Sequence, residues 1–132
     1  MKPKIDKLLI QLMNLHPKYI DLSLDRIKAL LNKLGNPHLN LSPTIHIAGT
    51  NGKGSTLSYL KHILNFNGYS VNAYISPHLS KFNERIVLNN KEVSTKKLLT
   101  CLQYVKSVNQ GKPITFFEIT TAAAFLLFAK TK

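Results

Sequence analysis

Ile45-His46-Ile47-Ala48-Gly49-Thr50-Asn51-Gly52-Lys53-Gly54-Ser55-Thr56 is the stretch on which the fold turns. Thr44 to Ala48 is short, apolar and partly β-branched, which predicts a strand. A glycine-rich turn follows, and Ser55 to Asn67 then reads as a helix with Leu57, Leu60, Ile63 and Leu64 on its apolar side, ended by Gly68. Strand, glycine loop and helix is the setting a phosphate loop requires. Glycines let the backbone turn tightly and bring its N–H groups close to phosphate oxygens. The N-terminus of the following helix adds partial positive charge. Lys53 suits the β- and γ-phosphates as a mobile point charge, and a hydroxyl at Ser55 or Thr56 can reach a metal or a phosphate. The loop departs from strict G-x-x-x-x-G-K-[ST]. Ile47 stands where that pattern has its first glycine, and Gly54 follows the lysine where it has Ser or Thr. The plainer reading is a glycine-rich turn with no ligand.

Working outward, Val71 to Ile75 reads as a second strand, so residues 44 to 75 predict a parallel βαβ unit with a right-handed crossover. Upstream, Ile5, Leu8, Leu9 and Leu12 recur at helical spacing over residues 4 to 14, and His16-Pro17 breaks that helix. Leu24, Ile27, Leu30, Leu31 and Leu34 mark a second helix, stopped by Gly35. Asn36 to Pro43 reads as a loop. Downstream, Arg85 to Leu88 and Lys91 to Val93 flank Asn89-Asn90 as a small hairpin. Residues 95 to 110 read as a helix ended by Gly111. Phe116 to Ala129 reads as a last helix, apolar on most sides and therefore buried. Its face of Ile119, Ala122, Ala123, Phe125, Leu126 and Phe128 calls for cover by later strands of a sheet. The fold class expected is α/β: a P-loop-containing, partial doubly wound parallel sheet with flanking helices, truncated after the last helix.

The chain has 132 residues, the size of one domain, and a hydrophobic fraction of 44% excludes a disordered chain. The longest apolar stretch, Ala122 to Ala129, is far short of a membrane span. The first seven residues lack the apolar core of a secretory signal. A single cysteine, Cys101, cannot form an internal disulfide, so a reducing, cytoplasmic setting is expected. The net charge of +12 raises nucleic acid as a partner. However, the basic residues are 16 Lys and 2 Arg, scattered without a run longer than Lys96-Lys97. Arg, not Lys, suits bidentate recognition. The composition therefore favours solvated lysine-rich faces and an anionic small molecule over nucleic acid.

At the glycine loop the sequence resembles the folylpolyglutamate synthase / dihydrofolate synthase family, itself similar to the Mur ligases in their central domain. The family's G-T-N-G-K-G-[ST] is matched in full by Gly49 to Ser55. Three further motifs keep the family's order. Leu15-His16-Pro17-Lys18-Tyr19-Ile20-Asp21-Leu22 resembles its pterin-side segment. Tyr74-Ile75-Ser76-Pro77-His78-Leu79 with Phe82-Asn83-Glu84-Arg85-Ile86 resembles its S-P-H-L…E-R-[IV] element. Thr115-Phe116-Phe117-Glu118, with Thr121 and Phe125, resembles its T-x-F-E segment. The resemblance covers residues 4 to 130.

The resemblance implies a ligase that uses ATP and Mg2+ to phosphorylate a carboxylate, dihydropteroate or a folate, which the amine of L-glutamate then attacks. It implies ATP contacts from Gly49, Thr50, Asn51, Gly52, Lys53, Gly54 and Ser55. It implies a magnesium ligand at Ser76, for which the plain alternative is a Ser-Pro turn residue. Tyr19, Ile20, Asp21, Leu22 and Thr115 would lie along the pterin pocket. Phe117 would stack on the pterin ring or serve as a core aromatic. Glu118 has a reading independent of the family, because Thr115-x-x-Glu118 ahead of an apolar run is a capping box; a supporting contact to the site is the sharper one. His78 and Arg85 are supporting residues, Arg85 with a local ion pair to Glu84 as its bland alternative. His46 is expected to be a packed side chain.

The family continues with segments whose Glu and His complete its magnesium site, and with a C-terminal domain that binds glutamate. The 132 residues are therefore expected to be an incomplete N-terminal ATP-binding domain, with a C-terminal half as a missing partner and no nucleic-acid or membrane partner. Two alternatives stand beside the ligase: a nucleotide-binding remnant without ligase chemistry, and a basic nucleic-acid-binding module.

Overall fold

The computed structural model describes residues 2–16 and 22–131. Helix α1 (Lys2–Met13) buries Ile5, Leu8 and Leu12, one stripe of an amphipathic helix. Helix α2 (Asp25–Lys33) buries Leu30 and Leu31. It ends in a Schellman closure: the Asn36 N–H donates to the Leu31 carbonyl at 2.8 Å and Gly35 N–H to Asn32 at 3.1 Å. Gly35, at φ +85°, takes the left-handed position this closure needs. A 3-10 turn, Pro37–Asn40, occupies the expected loop.

Helix α3 runs Lys53–Phe66 and closes in the same way, Tyr69 N–H on Leu64 at 2.9 Å and Gly68 N–H on Asn65 at 3.0 Å. Strand β1 is Ala73–Tyr74; a second 3-10 turn, Phe82–Arg85, leads into β2 (Ile86–Leu88), and β3 is Lys91–Glu92. The sheet order is β1-β2-β3, antiparallel throughout, with Tyr74 opposite Ile86 and Val87 opposite Glu92. Asn89 and Asn90 both have positive φ, 49° and 71°, which is what a two-residue hairpin demands. Helix α4 (Thr95–Asn109) is capped by the Ser94 hydroxyl, which accepts from the Lys97 N–H. Helix α5 is Phe116–Lys130.

Helix α5 is the centre of the core, packed by α4, α2, α1 and the first 3-10 turn. Ile119, Ala122, Ala123 and Ala124 are fully buried. The three alanines let neighbouring helices approach closely. Leu98, Leu102 and Val105 of α4 and Leu12 of α1 complete this layer.

Three expectations are corrected. Residues 44–48 form no strand, and no parallel pair exists among the described residues, so the βαβ unit of residues 44 to 75 is not formed. A parallel strand is buried on both faces between neighbours. Here Ile45 is 64% exposed and no ladder partner lies beside it. Helix α3 fully buries none of its residues: Leu57, Leu60 and Leu64 are half-buried, whereas Ile63 and Phe66 are exposed, Phe66 at 92%. The apolar face expected to lack cover was that of α5, but α5 is enclosed by helices. The exposed large apolar residues include instead Ile45, Tyr59, Ile63, Phe66, Tyr69 and Leu79 on the segment from Ile45 to Leu79.

Candidate functional site

The glycine loop opens α3 at Lys53, with Gly52 as the residue before the helix at φ +74° and ψ +7°. Gly49 has φ +152°. Both conformations favour glycine. Gly54 is different. Its φ is ordinary and a Cβ built there meets nothing within 4 Å, so the protein itself sets no demand for glycine at that position. No side chain caps α3, and its first turn carries no acidic residue. The first helical bond is Thr56 N–H to Gly52 at 2.9 Å. The N–H groups of the first turn are therefore left for an acceptor outside the helix. Thr50, Asn51, Lys53 and Ser55 are all exposed around them.

A second group lies on the segment after β1. Ser76 is exposed. The Arg85 Nε donates to His78 Nδ1 at 2.7 Å. The guanidinium lies 5.2 Å from the Phe82 ring centroid and 5.9 Å from that of Phe116, and the His78 ring meets Phe82 edge-on at 5.9 Å. Arg85 therefore forms no local pair with Glu84. The Glu84 carboxylate instead accepts from Leu79 N–H at 2.7 Å and Ser80 N–H at 2.9 Å. The Ser80 N–H above all holds this carboxyl below its usual range, with burial opposing and Leu79 adding to the effect.

The third group is the start of α5. Thr115 and Glu118 form the complete capping box. The Thr115 Oγ1 accepts from Glu118 N–H at 3.2 Å, and Glu118 Oε1 accepts from Thr115 N–H at 3.0 Å. Phe117 is 51% exposed, so it is not a core aromatic. It stacks on Tyr74, with ring centroids 6.1 Å apart and planes at 26°. Tyr74 in turn is fixed by its hydroxyl, 3.0 Å from Thr121 Oγ1.

Through Tyr74, Phe82 and Phe116, the second and third groups meet at one end of α5. No hydrogen bond or ring contact among the described residues joins Gly49–Ser55 to them. Leu22 is 89% exposed. Tyr19, Ile20 and Asp21 lie outside the described residues. His46 is exposed, not packed, because the strand expected to bury it is not formed. Two contributors escaped sequence reasoning. Arg26 carries no local signal, since its partner Glu118 is 92 residues away. Tyr74 stands inside the Tyr74–Leu79 motif, but its stacking on Phe117 comes from β1 lying against the start of α5, which no local pattern marks. Among the described residues no group of three His, Cys, Asp or Glu stands ready to hold a metal ion. No helix among them is long and apolar enough to cross a membrane.

No family model matches the sequence. The chain is 40% identical over 114 residues to the dihydrofolate synthase/folylpolyglutamate synthase of Bacillus subtilis, covering 81% of this chain and 26% of that protein. It is 36% identical over 122 residues to the Escherichia coli protein of the same name, covering 92% of this chain and 28% of that one. Among solved structures, E. coli FolC in complex with DHPP and ADP superposes with a TM-score of 0.84 at 34% identity, over 97% of this chain and 31% of that one. A bifunctional folylpolyglutamate synthase/dihydrofolate synthase with Mn, AMPPNP and L-glutamate bound gives 0.80 at 32% identity, over 97% and 30%. The chain thus spans between a quarter and a third of the length of these relatives.

Proposed function

Over the length it spans, the chain belongs to the folylpolyglutamate synthase / dihydrofolate synthase family, and we propose that it is the nucleotide- and pterin-binding part of an ATP-dependent ligase that adds L-glutamate to dihydropteroate or a folate. The observation that carries this is the uncapped start of α3, preceded by Gly49 and Gly52 in conformations that favour glycine and opened by Lys53. Gly54 is consistent with it, since a Cβ there would meet nothing of the protein within 4 Å and packing does not ask for glycine at that position.

These residues fit a nucleoside triphosphate. The N–H groups of the loop and first turn would bind phosphate oxygens, with the helix dipole favouring the negative charge. Lys53 would draw charge from the β- and γ-phosphates, and Ser55 would donate its hydroxyl. The fit to a divalent cation is thinner, because Ser76 offers a single hydroxyl and the remaining positions would fall to phosphate oxygens and water. Magnesium, when bound, neutralises charge that builds up during phosphoryl transfer. Along the acceptor, Phe117 and Tyr74 present a half-exposed stacked pair suited to a pterin ring, and Thr115 lies beside it at the start of α5. Tyr19 to Leu22 are assigned to the same pocket from the motif. His78 and Arg85 support the segment that carries Ser76. The domain is read as residues 1–132, its C-terminal partner as the part that supplies glutamate, and its setting as cytoplasmic. A nucleotide-binding remnant without ligation is the second reading, favoured by the lack, among the described residues, of a group of three His, Cys, Asp or Glu that could hold a metal ion.

Titration of the chain with ATP and magnesium, and with duplex DNA at two salt concentrations, tests the assignment. Saturable ATP binding with negligible DNA affinity is expected. DNA binding that weakens steeply with salt, without ATP binding, would place the chain among basic nucleic-acid modules.

A further inference from the structure

Helices α4 and α5 leave between them a surface cavity of about 530 Å³, the size of a small-ligand site. It shares no residue with the glycine loop, with Ser76 to Arg85, or with Thr115 and Phe117. Its floor is apolar, made by the buried Cys101, Leu126 and Leu127. Its rim carries Lys96, Lys97 and Lys130, and Tyr104 forms a wall with the Lys130 Nζ 6.0 Å from its ring centroid. No carboxylate lines it. The ion pairs of the described residues join Arg26 to Glu118 and Lys81 to Glu92, and none involves these three lysines.

The two halves of this cavity ask for different things. Apolar walls favour a body that is poorly hydrated. Three ammonium groups around one opening repel each other, and an anion placed among them relieves that repulsion. Of the nearby hydroxyls, Thr100 donates to the Lys96 carbonyl at 2.9 Å, whereas Ser94 accepts from Lys97 N–H at 3.2 Å and keeps its own O–H to donate. The three ammonium groups carry the charge for anion recognition, and the Ser94 hydroxyl is a neutral donor beside them. Burial pushes the Cys101 thiol up to about 11, so the floor adds no negative charge of its own at neutral pH. A nucleic acid would need an extended basic stripe instead of a closed apolar floor.

We propose that the cavity between α4 and α5 binds a small amphipathic anion, an aromatic or acyl body ending in a carboxylate. The test is a titration of the full chain with 2-naphthoate, followed residue by residue through backbone amide NMR shifts. A parallel titration uses the neutral 2-naphthamide. Saturable shifts are expected at residues 94–104 and 124–130. Affinity should fall about tenfold for the amide, and again about tenfold for naphthoate in the variant Lys96→Gln/Lys97→Gln/Lys130→Gln. These lysines are on the rim, so circular dichroism of the variant should match the parent. Shifts confined to α3 and residues 44–48, or equal affinity for acid and amide, would overturn the proposal.

Discussion

Arg26 and Glu118 form a two-pronged ion pair, with Nε to Oε1 at 2.9 Å and Nη2 to Oε2 at 3.1 Å. The same Oε1 accepts the Thr115 N–H. One carboxylate thus caps α5 and clamps α2 onto it, which makes it the junction between the core and the proposed pterin side of the site. Forked pairs of this kind are stronger than single contacts and fix orientation as well. Family motif and capping rule both pointed to Glu118, and the structure shows the cap and the clamp served by one side chain.

Glu118→Ala should therefore destabilise the chain by about 2–3 kcal/mol, through the lost cap and the uncompensated Arg26. Thr115→Ala removes only the hydroxyl acceptor and should cost about 1 kcal/mol. Burial is the largest single influence on Glu118 and opposes its ionisation, but hydrogen bonds from Arg26 and Thr115 together outweigh it and lower the pKa. A lowered carboxyl pKa contributes stability that is present above the unfolded value and is lost as pH falls through the folded one. Urea unfolding from pH 7 into the acid range should show this loss in the parent, and a shallower one in Glu118→Gln.

Lys53→Ala should weaken ATP binding at least about tenfold while leaving the melting temperature unchanged. Lys53 is exposed at the start of α3 and touches no core residue, so its truncation removes charge without packing. Calorimetric titration beside thermal unfolding of the same variant reads both quantities. Equal ATP affinity in parent and variant would remove Lys53 from the site.

What could be read from the chain divides along a physical line. Helices α1, α2, α4 and α5, the Asn89-Asn90 hairpin and the Thr115 cap follow from spacing and turn chemistry within a few residues, and the structure carries them as expected. Residues 44–48 have strand-like composition, yet a strand exists only with a neighbour, and composition says nothing of neighbours. The misplaced burial of His46 follows from the same gap. Arg85 beside Glu84 invited a local pair, but the backbone N–H groups of Leu79 and Ser80 claimed the carboxylate and the rings of Phe82 and Phe116 claimed the guanidinium. Arg26 was invisible because its partner is distant in sequence.

The exposed end of α3 gives a contrast that stability measurements can read. Phe66→Ser should change the unfolding free energy by less than about 0.5 kcal/mol, because its side chain buries almost nothing. Leu102→Ala, at 1% exposure in α4, should cost about 2–5 kcal/mol through a cavity beside α5. Guanidinium unfolding of both variants checks the pair. A large loss in Phe66→Ser would mean that the Phe66 side chain packs against the body in solution.

Residues 1–132 alone should not convert ATP and glutamate into a glutamylated product. The first reason is charge. Phosphoryl transfer needs its metal gripped on several sides, and among the described residues Ser76 is the proposed ligand, with no cluster of carboxylates or imidazoles beside it. The second is placement. Amide formation requires the glutamate amine near the activated carboxylate, and the groups gathered at the end of α5 are aromatic rings, Thr115, the Arg26–Glu118 pair and the Arg85–His78 pair, with no carboxylate there left to receive an ammonium group. The third is assembly. No hydrogen bond or ring contact among the described residues ties the glycine loop to the Phe117–Tyr74 pair, so nothing local sets the distance between the proposed phosphate and acceptor sites. An acyl transfer tolerates little misplacement, since about 1 Å can cost a hundredfold in rate. ATP binding itself should survive, because the loop and the start of α3 are local. The assay incubates the chain with ATP, magnesium, glutamate and dihydropteroate or tetrahydrofolate, and searches for the glutamylated product by mass spectrometry. ATP retention without product is expected. Steady turnover at about 1 s⁻¹ or faster, with no other polypeptide present, would show that these residues hold a complete site.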